Sequence, residues 1–216
     1  MRPGPRTRPP SPGGRAAGCT AGYTAGYVGL TFDDGPDPSS TGALLDALRA
    51  GGVRATMFNV GRNARDHPSL VRAQQNAGMW IGNHSWAHPD LTGASPARVR
   101  SELRRTQRVL RHLTGAAPRL FRPPYGRTGP TVRAVERQAG LTEVLWDVDS
   151  QDWNGATADE IVQAAARLTD GQVILMHDRY AATIAAIPRI VADLRARNLG
   201  AGMISPVTGR AVAPDD

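Results

Sequence analysis

The sequence predicts a parallel α/β fold, and three observations point to it. From Tyr27 onward, short apolar runs alternate with longer amphipathic stretches, the pattern of parallel strands joined by right-handed helical crossovers. The unusual polar residues cluster just after the apolar runs, where parallel α/β architectures build their sites. At 216 residues the chain suits one substantial core, with no need to divide it. Seven strands so joined could close, or nearly close, into a barrel; an open doubly wound sheet is the rival.

In chain order, residues 1–22 are rich in Pro, Gly and Arg and cannot bury apolar area. They read as a disordered tail, or the remnant of a processed leader, ahead of a domain over 23–216. Strands are expected at 27–32, 54–59, 79–83, 119–122, 142–148, 172–177 and 201–204. Helices are expected near 40–50, 65–77, 96–114, 129–139, 157–169 and 182–197. Ser95 before Pro96 reads as an N-cap with proline at the first helical position. Thr157 with Glu160 makes a capping box ahead of Ile161 and Val162. Gly51, Gly78, Gly115 and Gly140 follow helices where a left-handed stop is wanted.

Composition excludes several classes of function. No apolar run approaches the roughly 20 residues of a membrane span. The net charge is +7 and all 26 basic residues are Arg, a balance that could attract a polyanion. Arg2, Arg6, Arg8 and Arg15 lie in an acid-free tail, and removing those four from +7 leaves +3 for the rest. Arg98, Arg100, Arg104, Arg105, Arg108 and Arg111 fall in one helix around Glu102, with no aromatic interleaving of the kind single-strand binding uses. No nucleic-acid partner is therefore expected, and no membrane. The single cysteine, Cys19, excludes an internal disulfide. The N-terminus has no apolar core of a signal peptide, so an intact one is not expected within residues 1–22.

The chemistry gathers around Thr31-Phe32-Asp33-Asp34-Gly35-Pro36. Neighbouring strand residues face opposite ways, so one aspartate can bind a metal while the other stays free as a base. Asp-Gly is also ordinary turn chemistry. The other strand ends supply partners: Asn83 to His88, Arg122 to Gly126, Asp149 to Trp153, and His177-Asp178. His84 and His88 are four apart, which would set both imidazoles on one side of a helical turn, as a shared metal needs. The spacing lacks the glutamate of the zinc-protease helix. With Asp34 it gives two His and one carboxylate, a set that suits hydrolytic zinc and is also used by non-haem iron. His67 and His112 sit in polar helix contexts and read as surface residues. Trp153 could serve only the core, and Pro123-Pro124 could only shape a turn.

These five ordered stretches resemble the motifs of the polysaccharide deacetylases, the NodB-homology enzymes of carbohydrate esterase family 4. Within it the chain is most similar to secreted actinobacterial acetylxylan esterases, from about Gly22 to the C-terminus. The resemblance implies a distorted, incomplete (β/α) barrel with about seven parallel strands. It implies an extracellular, monomeric hydrolase that removes acetyl groups from polysaccharides or oligosaccharides, using Zn²⁺ or Co²⁺. Acetylated xylan is the favoured substrate, with chitin, chito-oligosaccharide or peptidoglycan as the alternative; a carbohydrate-binding protein without catalysis is the rival of another class. Residue by residue, the resemblance makes Asp33 the base and Asp34, His84 and His88 the metal ligands. Arg122 holds the base, and the backbone N–H of Tyr125 helps stabilise the oxyanion. His177 becomes the general acid with Asp149 as its carboxylate partner, while Trp153 and Leu175 wall the acetyl pocket. Related secreted esterases often carry a cysteine near 198–206 as partner for an N-terminal one. This chain has none there, so Cys19 is left without a mate.

Overall fold

The computed structural model describes Tyr23 and residues 25–214; the tail expected over 1–22 and Cys19 lie outside the described residues. Seven parallel strands form a curled half-barrel flanked by helices, an incomplete (β/α) barrel. They are β1 (Tyr27–Asp33), β2 (Thr56–Asn59), β3 (Trp80–Asn83), β4 (Leu120–Phe121), β5 (Thr142–Glu143), β6 (Val148–Asp149) and β7 (Val173–His177), in the order β5-β4-β3-β2-β1-β7-β6. A short β8 (Gly200–Ala201) also pairs with the start of β1. β9 (Met203–Ile204) forms an antiparallel hairpin with β10 (Ala211–Val212).

Around the sheet run α1 (Thr41–Ala50), α2 (Gly61–Asp66), α3 (Pro68–Asn76), α4 (Pro96–Thr114), α5 (Pro130–Gln138), α6 (Ala158–Ala165) and α7 (Ala181–Ala196). The main core lies between β1, β7 and the inner faces of α1, α6 and α7, where Leu30, Phe32, Leu44, Leu48, Ile161, Ile174 and Ile187 are fully or nearly fully buried. The expected caps are present. Ser95 accepts from the Arg98 N–H, and Thr157 and Glu160 form the reciprocal box.

Four expectations need correction. The run 142–148 is two strands, not one, and they sit at opposite ends of the sheet, with residues 144–147 bridging the gap between the edges. The run 201–204 likewise divides between β8 and β9. The helix expected over 65–77 breaks at His67, because the residue before a proline is pushed out of the helical region; His67 has φ −127° and ψ 60°. Gly78, Gly115 and Gly140 are left-handed as expected, but Gly51 is not (φ −74°), and the left-handed turn falls on Gly52.

Candidate active site

The site is built at the C-terminal ends of the parallel strands. Asp33 ends β1 and is in register with His177, which ends the neighbouring β7. Asp33 is buried, and its Oδ1 accepts from Arg122 Nη1 at 2.8 Å. The same nitrogen reaches Thr31 Oγ1 at 2.8 Å, while Nε and Nη2 donate to the carbonyls of Val144 and Leu145 at 3.0 and 3.1 Å. Arg122 thus fills the gap between the sheet edges, taking carbonyls that no neighbouring strand takes. Its guanidinium is fully buried over the Phe58 ring. Burial pulls its pKa down and the Asp33 charge opposes that pull. An arginine stays protonated in either case.

Asp34 departs from the strand with φ 70° and turns its carboxylate toward two imidazoles. His84 Nδ1 lies 2.7 Å from the Arg122 carbonyl. A carbonyl only accepts, so Nδ1 carries the hydrogen and Nε2 presents a lone pair to the cleft. His84 Nε2 and His88 Nε2 stand 3.7 and 3.3 Å from Asp34 Oδ1. One ligand atom from each of these three residues falls within 4.8 Å of the others. Two ligands each about 2.0–2.1 Å from a tetrahedral ion lie roughly 3.3–3.4 Å apart, so the separations suit a shared divalent cation better than direct hydrogen bonds. The donor set fits the expected metal. Burial and the neighbouring His84 hold the His88 pKa below its usual value, which favours the neutral, coordinating form.

His84 and His88 do not share a helical turn. Residues 84–88 form a loop with Ser85 at φ 63° and His88 at φ 57°. Three side chains hold it: Asn83 Oδ1 accepts from Ser85 N, Ser85 Oγ from His88 N, and Glu102 Oε2 from both Trp86 N and Ala87 N at 3.0 Å. Glu102, buried on α4, was not among the expected site residues. Its one signal was an isolated acid amid six arginines, which reads equally well as a surface pair, and it does pair with Arg98.

The expected partnership of Asp149 with His177 is absent, and Asp152 takes it. Asp152 Oδ1 lies 2.8 Å from His177 Nδ1, and Oδ2 accepts from the His177 backbone and from Thr183 Oγ1. The physical reason is the loop after β6. Gln151 adopts φ 58° and a 3₁₀ turn over Asp152–Asn154 follows, which brings Asp152, and not the strand residue Asp149, back under the imidazole. Asp149 instead accepts from Gln151 N and from the Trp153 indole N–H. Burial lowers the His177 pKa, but the Asp152 hydrogen bond and the charges of Asp33, Asp152 and Asp34 outweigh it, and the net direction is upward.

Tyr125 follows β4 with φ 59°; its ring is exposed and meets His88 edge-on at 4.5 Å. A cleft of about 310 Å³ brings together Asp33, Asp34, His84, His88, Tyr125, Asp149, Trp153, Leu175 and His177. Every sequence-predicted site residue lines it except Arg122, which lies beneath Asp33. Trp146 and Tyr180 also line it and were not anticipated.

Comparison with known proteins agrees with this geometry. The polysaccharide deacetylase family profile matches residues 21–144. A family 4 carbohydrate esterase from Streptomyces lividans, solved in complex with acetate, is 62% identical with a TM-score of 0.86, covering 88% of this chain and 98% of that one. The bifunctional xylanase/xylan deacetylase of Cellvibrio japonicus is 46% identical over 87% of this chain. A peptidoglycan-N-acetylglucosamine deacetylase of Listeria monocytogenes is 36% identical over 79% of it. The chain spans 28% and 36% of the lengths of those two relatives. The chain belongs to the polysaccharide deacetylase family.

Proposed function

We propose that the protein is a metal-dependent carbohydrate deacetylase, with O-acetylated xylan as the favoured substrate. The observation that carries this reading is one cleft holding a cation-binding set, an arginine-held carboxylate and a carboxylate-paired histidine. Zn²⁺ or Co²⁺ held by Asp34, His84 and His88 is the cofactor we assign. When bound, such a cation supplies a Lewis acid for the acetyl carbonyl and makes water easier to deprotonate.

The chain's own residues do the rest. Arg122 occupies Asp33 Oδ1 and leaves Oδ2 free to take a proton from the attacking water. The water oxygen adds to the acetyl carbon, and the Tyr125 backbone N–H donates to the developing oxyanion. Asp152 holds His177 Nδ1, so Nε2 is the nitrogen that gives a proton to the leaving sugar oxygen as the C–O bond breaks. Acetate and a free hydroxyl result. Leu175 and Trp153 wall the acetyl methyl away from water. Asp149 serves this machinery through Trp153 and not through His177.

The likeness to the Listeria enzyme favours a second reading, N-deacetylation of an amino-sugar polymer by the same groups. Acetate release from acetylated xylan and from chito-oligosaccharides, measured side by side, decides between them. Chelation should abolish release and Zn²⁺ or Co²⁺ restore it; full activity in metal-stripped protein would sink the metal-dependent reading. Among the described residues no helix is long and apolar enough to cross a membrane. We assign an extracellular, monomeric enzyme without a nucleic-acid partner, in keeping with the polymeric substrate.

A further inference from the structure

Asp149 stands at a boundary. On one side it lines the active cleft, and on the other a second cleft of about 390 Å³. The second cleft is walled by Gln151, Asn154, Glu160, Gln163 and Arg167 as well, and its size falls within the roughly 300–1,000 Å³ of small-molecule sites. The loop carrying Trp153 therefore has a cleft on each flank.

The two flanks differ in chemistry. Side-chain amides and a guanidinium offer donors to the second cleft, and amide oxygens and the Asp149 and Glu160 carboxylates offer acceptors. Mixed charge of this kind suits a neutral polyol better than a small anion or a cation. Among the described residues, Asn154, Gln163 and Arg167 make no side-chain hydrogen bond or ion pair, so their polar groups face water alone. Trp153 is 51% exposed. Such a rigid apolar face, with its polar edge already satisfied, presents an area on which the C–H face of a sugar ring can rest.

The loop is also preorganised. The left-handed Gln151 is fixed by its N–H to Asp149 Oδ1 and by its carbonyl, which accepts from Asn154 N and Ala156 N. Asp149 takes the indole N–H on both carboxylate oxygens at 3.2 and 3.3 Å. A non-glycine residue in that conformation persists only where its surroundings over-determine it.

We propose that this cleft is a second saccharide subsite. It binds, through its hydroxyls, a sugar of the same neutral glycan chain whose acetylated unit occupies the active cleft. Asp149 is the positioning residue that sets the Trp153 ring between the two. The inference rests on the deacetylase reading and adds a dependence on chain length that the reading does not require.

The test is a substrate-length series, acetylated xylo-oligosaccharides of two to six sugars, on wild type and on an Asn154→Ala/Gln163→Ala variant. Both side chains are exposed and unbonded, so the variant should unfold at the wild-type temperature. The expected result is a fall of roughly tenfold in the ratio of kcat/KM for the hexamer to that for the dimer, carried by KM. Asp149→Ala should lower the same ratio, and Asp149→Asn, which keeps an acceptor for the indole, should restore much of it. An unchanged ratio overturns the subsite. If wild type releases no acetate from any oligosaccharide, the deacetylase reading fails, and calorimetric titration with xylohexaose and with hexa-N-acetylchitohexaose still decides the cleft. Binding weakened in the variant supports it, whereas equal binding, or none by either protein, overturns it.

Discussion

Asp33 and Asp34 are chemically identical neighbours to which the backbone gives different surroundings. Asp33 keeps to the strand, buried and clasped by a guanidinium, while Asp34 turns left-handed toward two imidazoles. Asp33→Asn should therefore retain the cation and lose about 10²–10⁴-fold in turnover, whereas Asp34→Asn should weaken the cation itself. Titration with Co²⁺ followed by its absorption spectrum separates them, and exchanged phenotypes would exchange the roles. The second carboxylate pair needs the same care. Asp149, ending β6, and Asp152, in the loop that follows, are three apart, and nothing in their spacing says which one reaches His177. The bend at Gln151 decides, and a left-handed glutamine is not legible in a sequence. Because the Asp152 hydrogen bond and charge raise the His177 pKa against burial, Asp152→Asn should move the alkaline limb of the pH–rate profile to lower pH. Asp149→Asn should leave that limb in place. A limb that moves with Asp149 alone would reinstate the pairing expected from the sequence.

At the scale of elements, local signals were legible wherever they act within one turn of chain. Ser95 and Thr157 bond to N–H groups three residues on, so their caps could be read directly. Pro68 carried its own break, though the surrounding apolar spacing masked it. The histidine loop was legible in outcome and not in form: the two imidazoles converge, but through two left-handed residues and a buried carboxylate from α4. Glu102 accepts two loop N–H groups from a helix packed against the loop, a contact that no local pattern records. Glu102→Ala should leave those N–H groups without their acceptor and loosen both imidazoles, weakening cation affinity by about 10–100-fold, as loss of such outer support does. Glu102→Gln keeps one acceptor oxygen and should fall between. Unchanged Co²⁺ affinity in Glu102→Ala, with far-UV ellipticity intact, would refute the role.

At the scale of the molecule, the expected total of seven strands agrees with the curved row, but through two offsetting differences: 142–148 supplies two of its strands, and 201–204 supplies none. The segment 142–148 looked like one strand because its apolar run is continuous; in fact it leaves one edge of the sheet and joins the other. The edge that the segment leaves carries a carboxyl pair with a global consequence. Glu136 on α5 is almost wholly buried, and burial first, then the neighbouring Glu143, raises its pKa from 4.5 to about 7. Thr128 binds Glu143, and Arg133 and Arg137 oppose the rise only in part. A carboxyl whose folded pKa exceeds its unfolded value favours the fold when protonated. That contribution is complete below about pH 4.5, shrinks as pH rises through about 7, and is then gone. A shift of this size corresponds to something on the order of 3 kcal/mol. Other groups, His177 among them, also change protonation with pH, so the informative quantity is a difference between variants. Glu136→Gln removes the titration while keeping shape and hydrogen-bonding capacity. It should change stability little near pH 4.5 and raise it relative to wild type near pH 8, by up to that amount. Urea unfolding of both proteins at the two pH values measures the difference directly. The same offset at both would show that Glu136 ionises in the folded protein as it does in the unfolded chain.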